Sequence, residues 1–241
     1  MAKENGEWIL YGREYDDPAR IGSAQELVSL IDEVGFLPLF KNRAAGFSVE
    51  EFTSAEDWWT GDVRRDPWEW RETLARSGRV IYGKFFQKKA GFISRGWFPR
   101  FANYRRDGYD FDSLSDEGKA NHRWKKLMEP FERTEKLCSW QLKEAAGFGK
   151  GGERNFEGAV TDLQMRAYLL ARDFQRRLNA KGLEYGWPVT VYATPESLLG
   201  YEQISSCYRE EPSRSFGMIV NHLAEKFPQA NKEDLAAVLS L

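Results

Sequence analysis

Two neighbouring stretches decide the fold prediction: Thr161-Asp-Leu-Gln-Met-Arg-Ala-Tyr-Leu-Leu-Ala-Arg-Asp-Phe-Gln-Arg-Arg-Leu178 and Tyr185-Gly-Trp-Pro-Val-Thr-Val-Tyr192. The first begins with Thr161 and Gln164 in the spacing of a capping box, which satisfies free backbone groups at the start of a helix. Its apolar residues then recur with helical spacing, so we predict a helix over Asp162–Leu178. The second stretch is rich in β-branched and aromatic residues, which indicates a strand.

The segments around this helix follow the order of a winged helix. A helix is predicted over Glu135–Ala146 and a loop over Gly147–Gly152, and a hairpin, the wing, is predicted over Ala180–Tyr192. In such a domain the capped helix enters the major groove of DNA. The candidate contacts to the groove are Gln164, Arg166 and Arg172. Winged helices also serve as dimerisation and docking domains, so the fold alone leaves the function open.

Helix signals also occur in the first half of the chain. Ser23-Ala-Gln-Glu26 is a second capping box, and Gly35 is the expected end of the helix that it starts. Asp66 followed by Pro67 predicts another helix, with Asp66 as the N-cap residue. Together these patterns predict a mainly helical α+β fold of tandem winged-helix-like domains, with small β-hairpins or sheets and a C-terminal helical tail. The predicted domains are residues 1–130, 131–200 and 201–241.

The charged residues are unevenly distributed along the chain. Its 241 residues include 35 Lys+Arg and 37 Asp+Glu, for a net charge of −2. Residues 71–106 nevertheless contain ten basic side chains and one acidic one, while acids are concentrated in residues 50–70 and 107–117. Aromatic residues are interleaved with these cations, as on surfaces that follow phosphates and stack on bases. The alternative is that the aromatics form the core and the cations pair with the flanking acids.

The basic segment supplies the candidate phosphate contacts of a nucleic-acid complex. The candidates are Lys84, Lys88, Lys89, Arg105 and Arg106, together with Lys150 in the glycine-rich loop. Duplex DNA is the hypothesised partner of such a basic segment.

The composition excludes several other classes of protein. With 41% hydrophobic and 30% charged residues, the chain has the balance of an ordinary globular protein. No apolar run is long enough to cross a membrane, and the first residues lack the apolar core of a signal peptide, so we expect a cytoplasmic protein. Cys138 and Cys207 are too few for a disulfide framework. His122 and His222 lack companion ligands, so neither a metal nor another cofactor is expected.

Five short strings carry a resemblance to a known family. They are Asp66-Pro-Trp-Glu-Trp-Arg71, residues 82–94, residues 101–110, Ala146-Gly-Phe-Gly-Lys150 and Thr161-Asp-Leu-Gln-Met165. In these strings the chain resembles the AlkZ-related proteins, which are distant relatives of the AlkZ winged-helix DNA glycosylases. The glycosylases excise alkylated bases and unhook interstrand crosslinks. The resemblance covers about residues 20–200. It implies tandem winged helices around a positively charged channel, a role in DNA repair, and duplex or damaged DNA as the partner.

One motif of the glycosylases is missing. They carry a Gln-x-Gln or Gln-x-Asp pair just after the first helix, which positions the attacking water and stabilises the sugar cation. The corresponding stretch here is Gly35-Phe-Leu-Pro-Leu-Phe40, which has no polar side chain. A hydrocarbon side chain neither orients water nor stabilises an oxocarbenium ion. Either other groups have taken over catalysis or the protein binds without cutting, and the second alternative is favoured.

If catalysis has moved, Asp66 and Glu69 are the candidate catalytic residues. They lie three positions apart at a helix start among several tryptophans, and an apolar setting raises the pKa of a carboxyl group. The alternative is that Asp66 only caps the helix and Glu69 pairs with an arginine. A third hypothesis is a non-catalytic module that binds another protein through exposed aromatic residues. The sequence leaves the oligomeric state open.

Overall fold

After two short strands near its start, the first half of the chain has the element order helix, strand, helix, helix, strand, strand. The computed structural model describes residues 2–4, 7–179 and 181–241. Two short paired strands come first, β1 (Ala2–Glu4) and β2 (Glu7–Ile9). The elements of the first half are then α1 (Ala24–Val34), β3 (Phe36–Pro38), α2 (Val49–Phe52), α3 (Pro67–Ser77), β4 (Val80–Phe86) and β5 (Lys89–Ser94). Strands β3, β4 and β5 form an antiparallel sheet with β5 in the middle.

The helix signals of this half act as predicted. The hydroxyl of Ser23 accepts a hydrogen bond from the backbone N–H of Glu26 at the start of α1, and the helix ends at Gly35, whose φ of 82° disfavours other residues. Asp66 caps α3 and Pro67 is its first residue. Both helices are therefore fixed by local chemistry.

The second half repeats the same element order. It is joined to the first by α4 (Phe98–Arg106) and α5 (Phe111–Asp116). Its elements are α6 (His122–Met128), β6 (Lys136–Cys138), α7 (Ser139–Ala145), α8 (Phe156–Met165), β7 (Leu170–Leu178) and β8 (Glu184–Ala193). The three strands of this half form a second antiparallel sheet in which β8 lies between β6 and β7. The predicted α+β class is thus confirmed.

The long capped helix predicted over Asp162–Leu178 is wrong. Helix α8 begins at Phe156, so Thr161 lies inside it rather than at its start, and Ala167 then takes a left-handed φ of 59°. The rest of the predicted helix is strand β7, whose backbone pairs with β8 from Leu170 to Leu178. Pairing with the next strand of the hairpin satisfies the backbone hydrogen bonds and overrides the local helical pattern.

Two neighbouring predictions are also adjusted. The helix predicted over Glu135–Ala146 begins only at Ser139, because its first residues form β6 on the edge of the sheet. The predicted wing is a hairpin, but its strands are β7 and β8, and Ala180, its predicted first residue, lies outside the described residues.

The two halves pack against each other reciprocally. Helix α3 of the first half lies against β7 of the second, α8 lies against β4, and β4 contacts β7. The contacts include an ion pair between Arg76 Nε and Asp173 Oδ1 at 2.8 Å. In each half, therefore, the helix before the hairpin is covered by the hairpin of the other half.

The aromatic residues of the basic segment form the core, as the alternative interpretation predicted. Phe85, Phe92 and Phe101 are fully buried in one hydrophobic cluster with α1, and a second cluster lies among α6, α7 and α8. The tail consists of α9 (Pro195–Leu199), α10 (Tyr201–Ser205), α11 (Pro212–Lys226) and α12 (Lys232–Val238). Helix α11 packs on α4 within the first cluster. The domain boundaries at residues 130 and 200 stay a prediction.

The helices are too short or too polar to cross a bilayer wherever the chain is described.

Candidate nucleic-acid interface

A cleft of about 230 Å³ lies between the two hairpins and is lined by both halves of the chain. Its aromatic walls are Phe40, Trp68, Tyr82, Phe174 and Tyr192. Its polar side chains are Arg71, Lys84, Gln164 and Thr190. Pockets for drug-sized ligands usually exceed about 300 Å³, so this cleft has room for one ring system rather than for a larger ligand. No carboxylate is found among its described lining residues.

Arg71 lies at the junction of the two halves. Its guanidinium carbon is 3.9 Å from the ring centre of Trp68 and 4.4 Å from that of Phe174, so each half contributes one ring. The side chain is only 7% exposed; it pairs with Glu72 at 3.0 Å, and its Nε has no hydrogen-bond partner among the described groups. Burial raises the pKa of Glu72 although Arg71 opposes the shift. The cleft therefore contains a largely desolvated cation.

Lys84 and Gln164 connect strand β4 to helix α8. The side-chain oxygen of Gln164 accepts a hydrogen bond from the backbone N–H of Lys84 at 3.0 Å, and the Lys84 ammonium is 3.5 Å from the hydroxyl of Thr161. Gln164 is buried. The structure thus places this predicted groove contact in the wall of the cleft, where it holds the two halves together.

The apolar stretch Gly35–Phe40 leads into the same cleft. Leu39 and Phe40, at its end, belong to the lining. In the family resemblance, this stretch corresponds to the one that carries the catalytic pair in the glycosylases. Hydrocarbon side chains therefore occupy the wall of the cleft where that comparison expects water-activating groups.

The two candidate catalytic residues lie outside this lining. Asp66 is fully buried, and its two oxygens accept hydrogen bonds from the backbone N–H groups of Trp68 at 2.8 Å and Gly61 at 2.9 Å. Glu69 is half-buried in the first turn of α3. The structure therefore places Asp66 in the capping role that the sequence offered as the alternative.

Arg105 and Arg106 are turned into the protein, with 1% and 2% exposure. Arg105 donates to the carbonyl oxygen of Phe85, and burial lowers its pKa to about 10. Arg106 donates to the carbonyl oxygen of Ala167 and pairs with Glu196. Burial disfavours the charge of Arg106, but Glu196 raises its pKa above the usual value. Both guanidinium groups already serve contacts within the chain.

The other candidate cations differ in how freely they reach solvent. Arg172 donates to the carbonyl oxygens of Ala75 and Arg76, and Arg166 lies over the ring of Trp124. The side chains of Lys88, Lys89 and Lys150 are exposed, and in the described parts of the chain no acid pairs with them.

The acids that pair with the basic segment are not the flanking ones. The acidic partners are Glu72, Asp173, Glu196 and Glu210. The sequence interpretation of a self-neutralising segment therefore had the right principle but the wrong partners, because folding brings in acids from as far as residue 210. Lys88 and Lys89, at the turn of the β4–β5 hairpin, are left accessible.

The tip of the β7–β8 hairpin is a surface that the sequence analysis missed. Its Trp187 is 86% exposed, and Leu178, Leu183 and Tyr185 are also exposed. Three exposed cations accompany them: Arg176, Arg177 and Lys181. Apolar side chains grouped in this way mark interaction sites. The predicted wing covered residues 180–192 only, because the helix predicted through Leu178 took the place of the first strand of the hairpin.

Comparison with known families gives one match. The model of the family described as AlkZ related matches residues 21–240. Comparison with curated proteins gives no match, and comparison with solved structures gives none either.

Proposed function

The chain belongs to the AlkZ-related family, and from this premise we propose that it binds DNA and holds one base in the cleft between its hairpins without excising it. The observation that carries this proposal is the lining of the cleft. Its aromatic walls and its two cations suit a base and its phosphate, and no described lining residue has a carboxylate to activate water.

The size of the cleft requires the base to leave the duplex. A cleft of about 230 Å³ does not admit a base pair. Proteins that act on or read single bases extrude the nucleotide and stack it between aromatic side chains, at a cost of a few kcal/mol that is smallest for mismatched or damaged bases. Arg71 already lies against Trp68 and Phe174, so the other aromatic rings of the lining, Phe40, Tyr82 and Tyr192, are the ones proposed to contact the base. Damaged or mispaired DNA is thus the proposed target.

Both halves are proposed to be winged-helix domains, because their element order and strand order match that arrangement. In this protein, however, seven of the ten residues of α8 are buried, and α3 is covered by β7. Neither helix is free to enter a major groove. The hairpins and the cleft between them are therefore the proposed DNA-contacting elements.

The phosphate contacts follow from exposure. We assign the exposed Lys88, Lys89 and Lys150 and the half-buried Lys84 of the cleft to phosphates. We add the exposed Arg176, Arg177 and Lys181 of the β7–β8 hairpin, of which Arg176 also lies near Glu184 and Arg177 over Trp140. The remaining candidates, Arg105, Arg106, Gln164, Arg166 and Arg172, are assigned to holding the fold, since each makes at least one contact within the protein and none is exposed.

We expect the protein to bind a 20-mer duplex with a steep dependence on salt. Each phosphate contact adds about 0.9 to the slope of log K against log salt, so the double variant Lys88→Gln/Lys89→Gln lowers the slope by about 2. Fluorescence anisotropy between 50 and 200 mM salt measures it. Lys226→Gln, which removes one positive charge from an exposed ion pair with Glu33, is the control and leaves the slope unchanged.

Incubation of the protein with alkylated or crosslinked duplex is expected to yield no abasic sites. Flat titrations at 50 mM salt would contradict DNA binding. Base release that disappears in Asp66→Asn or Glu69→Gln would instead support active excision by those carboxylates.

A further inference from the structure

A second cavity lies between the second half of the chain and the tail. Its volume is about 410 Å³, which is within the range of pockets that bind small molecules. Its walls include residues of α5, of α6 and the turn that follows it, and of α9 and α10. It shares no described lining residue with the cleft between the hairpins. The two are therefore separate candidate sites.

The charged side chains of this cavity are mostly acidic. Lys125 is the one basic residue in its described lining, and its ammonium donates to the carbonyl oxygen of Ser115 at 3.0 Å rather than to a carboxylate. The acidic lining residues are Asp110, Asp112, Glu129, Glu132 and Glu196. The cavity therefore has an excess of negative charge.

Two of these five carboxylates already have partners within the protein. Glu196 pairs with Arg106. Asp110 accepts hydrogen bonds from the backbone N–H of Ser113 at 2.8 Å and from the hydroxyl of Tyr201 at 3.3 Å. Burial disfavours the charge of Asp110, but these hydrogen bonds keep its pKa below the usual value. Both carboxylates therefore stay ionised at the edge of the cavity.

The other three carboxylates have no cation of the protein beside them. Asp112, Glu129 and Glu132 are exposed, and within the described ranges no lysine, arginine or histidine forms an ion pair with any of them. Like charges around one cavity disfavour each other, and a bound cation removes this repulsion. The sign of the ligand that this cavity favours is therefore positive.

Aromatic rings supply the apolar part of the walls. Phe111 meets Tyr168 edge-on with ring centres 5.3 Å apart, and Arg106 covers one face of Tyr168. Phe131 and Tyr201 also line the cavity, and neither has another ring or a cation against its face in the part of the chain that the structure describes. An aromatic face attracts a cation and packs against an apolar group. Two such faces are therefore available to a ligand.

We propose that this cavity binds a small organic cation whose charge is carried on a compact apolar body, such as an aryl amidine or an arylalkylamine. The carboxylates offset the charge, and the rings of Phe131 and Tyr201 cover the apolar body. A hydrated metal ion would leave both rings without a contact. The inference goes beyond the proposed function, because the same carboxylates repel a polyanion such as DNA.

The test compares benzamidine with benzamide, which have the same shape and differ in charge. Saturation-transfer NMR on the full chain, without DNA, measures the binding of both. We expect a Kd of about 1 mM or lower for benzamidine, as suits a ligand of this size. The Kd for benzamide is expected to be about tenfold or more higher, because it lacks the charge that the carboxylates offset.

Variants assign the binding to this cavity. Glu129→Gln/Glu132→Gln removes two of the unpaired carboxylates, and we expect the Kd for benzamidine to rise about threefold or more while the Kd for benzamide is unchanged. Both side chains are exposed, so the fold is retained. Glu144→Gln/Glu157→Gln removes two exposed carboxylates outside the lining and is the charge-matched control, which should leave both Kd values unchanged.

A further variant tests the aromatic wall. Phe131→Leu keeps an apolar side chain but removes the ring, so we expect the Kd for benzamidine to rise about threefold, with the fold verified by circular dichroism. An unchanged Kd in this variant would overturn the role of the ring.

Four outcomes would overturn the inference. They are equal affinity for benzamidine and benzamide, absence of benzamidine binding at about 10 mM, displacement of benzamidine by equimolar Mg²⁺, and an equal loss in the lining and control double variants. Since these measurements contain no DNA, they leave the proposed function to be decided separately by the anisotropy titrations.

Discussion

Replacement of Trp187 by alanine is expected to weaken duplex binding by about tenfold, the largest effect of any single substitution on the hairpin. The ring is 86% exposed, so it contributes little to the folded protein and is free to stack on a base or enter a base step. Stacking of one base on an aromatic side chain is worth about 1–3 kcal/mol. The melting temperature should stay within about 1 °C, because no buried surface is lost. Anisotropy and calorimetry measure the two effects.

Trp59→Ala is the matched control for this substitution. Trp59 is also exposed but lies in the loop before α3, and it does not line the cleft. Its loss should leave duplex affinity unchanged. If Trp187→Ala also leaves affinity unchanged and instead dissolves an oligomer on size exclusion, the hairpin is a protein-docking surface, as the third sequence hypothesis states.

Replacement of Arg106 by glutamine is expected to destabilise the protein by about 3 kcal/mol while leaving DNA affinity unchanged. The guanidinium joins α4 to the carbonyl of Ala167 and to Glu196, and removal of one partner from a buried ion pair typically costs this much. Urea denaturation measures the loss, and anisotropy well below the melting temperature measures affinity.

Lys88→Gln should have the opposite pattern. Its side chain is exposed, so affinity falls while the free energy of unfolding changes by less than about 0.5 kcal/mol. If Arg106→Gln lowers affinity in the folded protein as much as Lys88→Gln does, the assignment of Arg106 to the fold is wrong.

Local signals predicted the elements that local chemistry fixes. The caps at Ser23 and Asp66 and the end of α1 at Gly35 need only neighbouring residues. The segment Asp162–Leu178 failed because Leu170 and Phe174 suit one face of a helix and are equally buried in a strand. Only the pairing with β8 decides between the two.

The functional surface was harder to predict, because burial of a cation depends on distant partners. Arg106 and Lys88 lie in the same basic segment, but the partners of Arg106 come from Ala167 and Glu196, which no local pattern connects to it. The cleft itself arises from the reciprocal packing of the halves, with Trp68 and Phe174 more than one hundred positions apart. The sequence did indicate its apolar wall, through the missing polar pair in Gly35–Phe40.

The central claim is that the cleft holds an extruded base. The most direct test is the ratio of the Kd for a fully paired duplex to the Kd for the same duplex with one mismatch. Extrusion costs less at a mismatch, so we expect about tenfold tighter binding to the mismatch. Thr190→Trp fills the cleft and should abolish this preference while salt-dependent binding persists. Val189→Trp adds the same ring on the opposite face of β8 and should retain it. Equal affinity of the unaltered protein for both duplexes, or a preference that survives Thr190→Trp, would contradict the account.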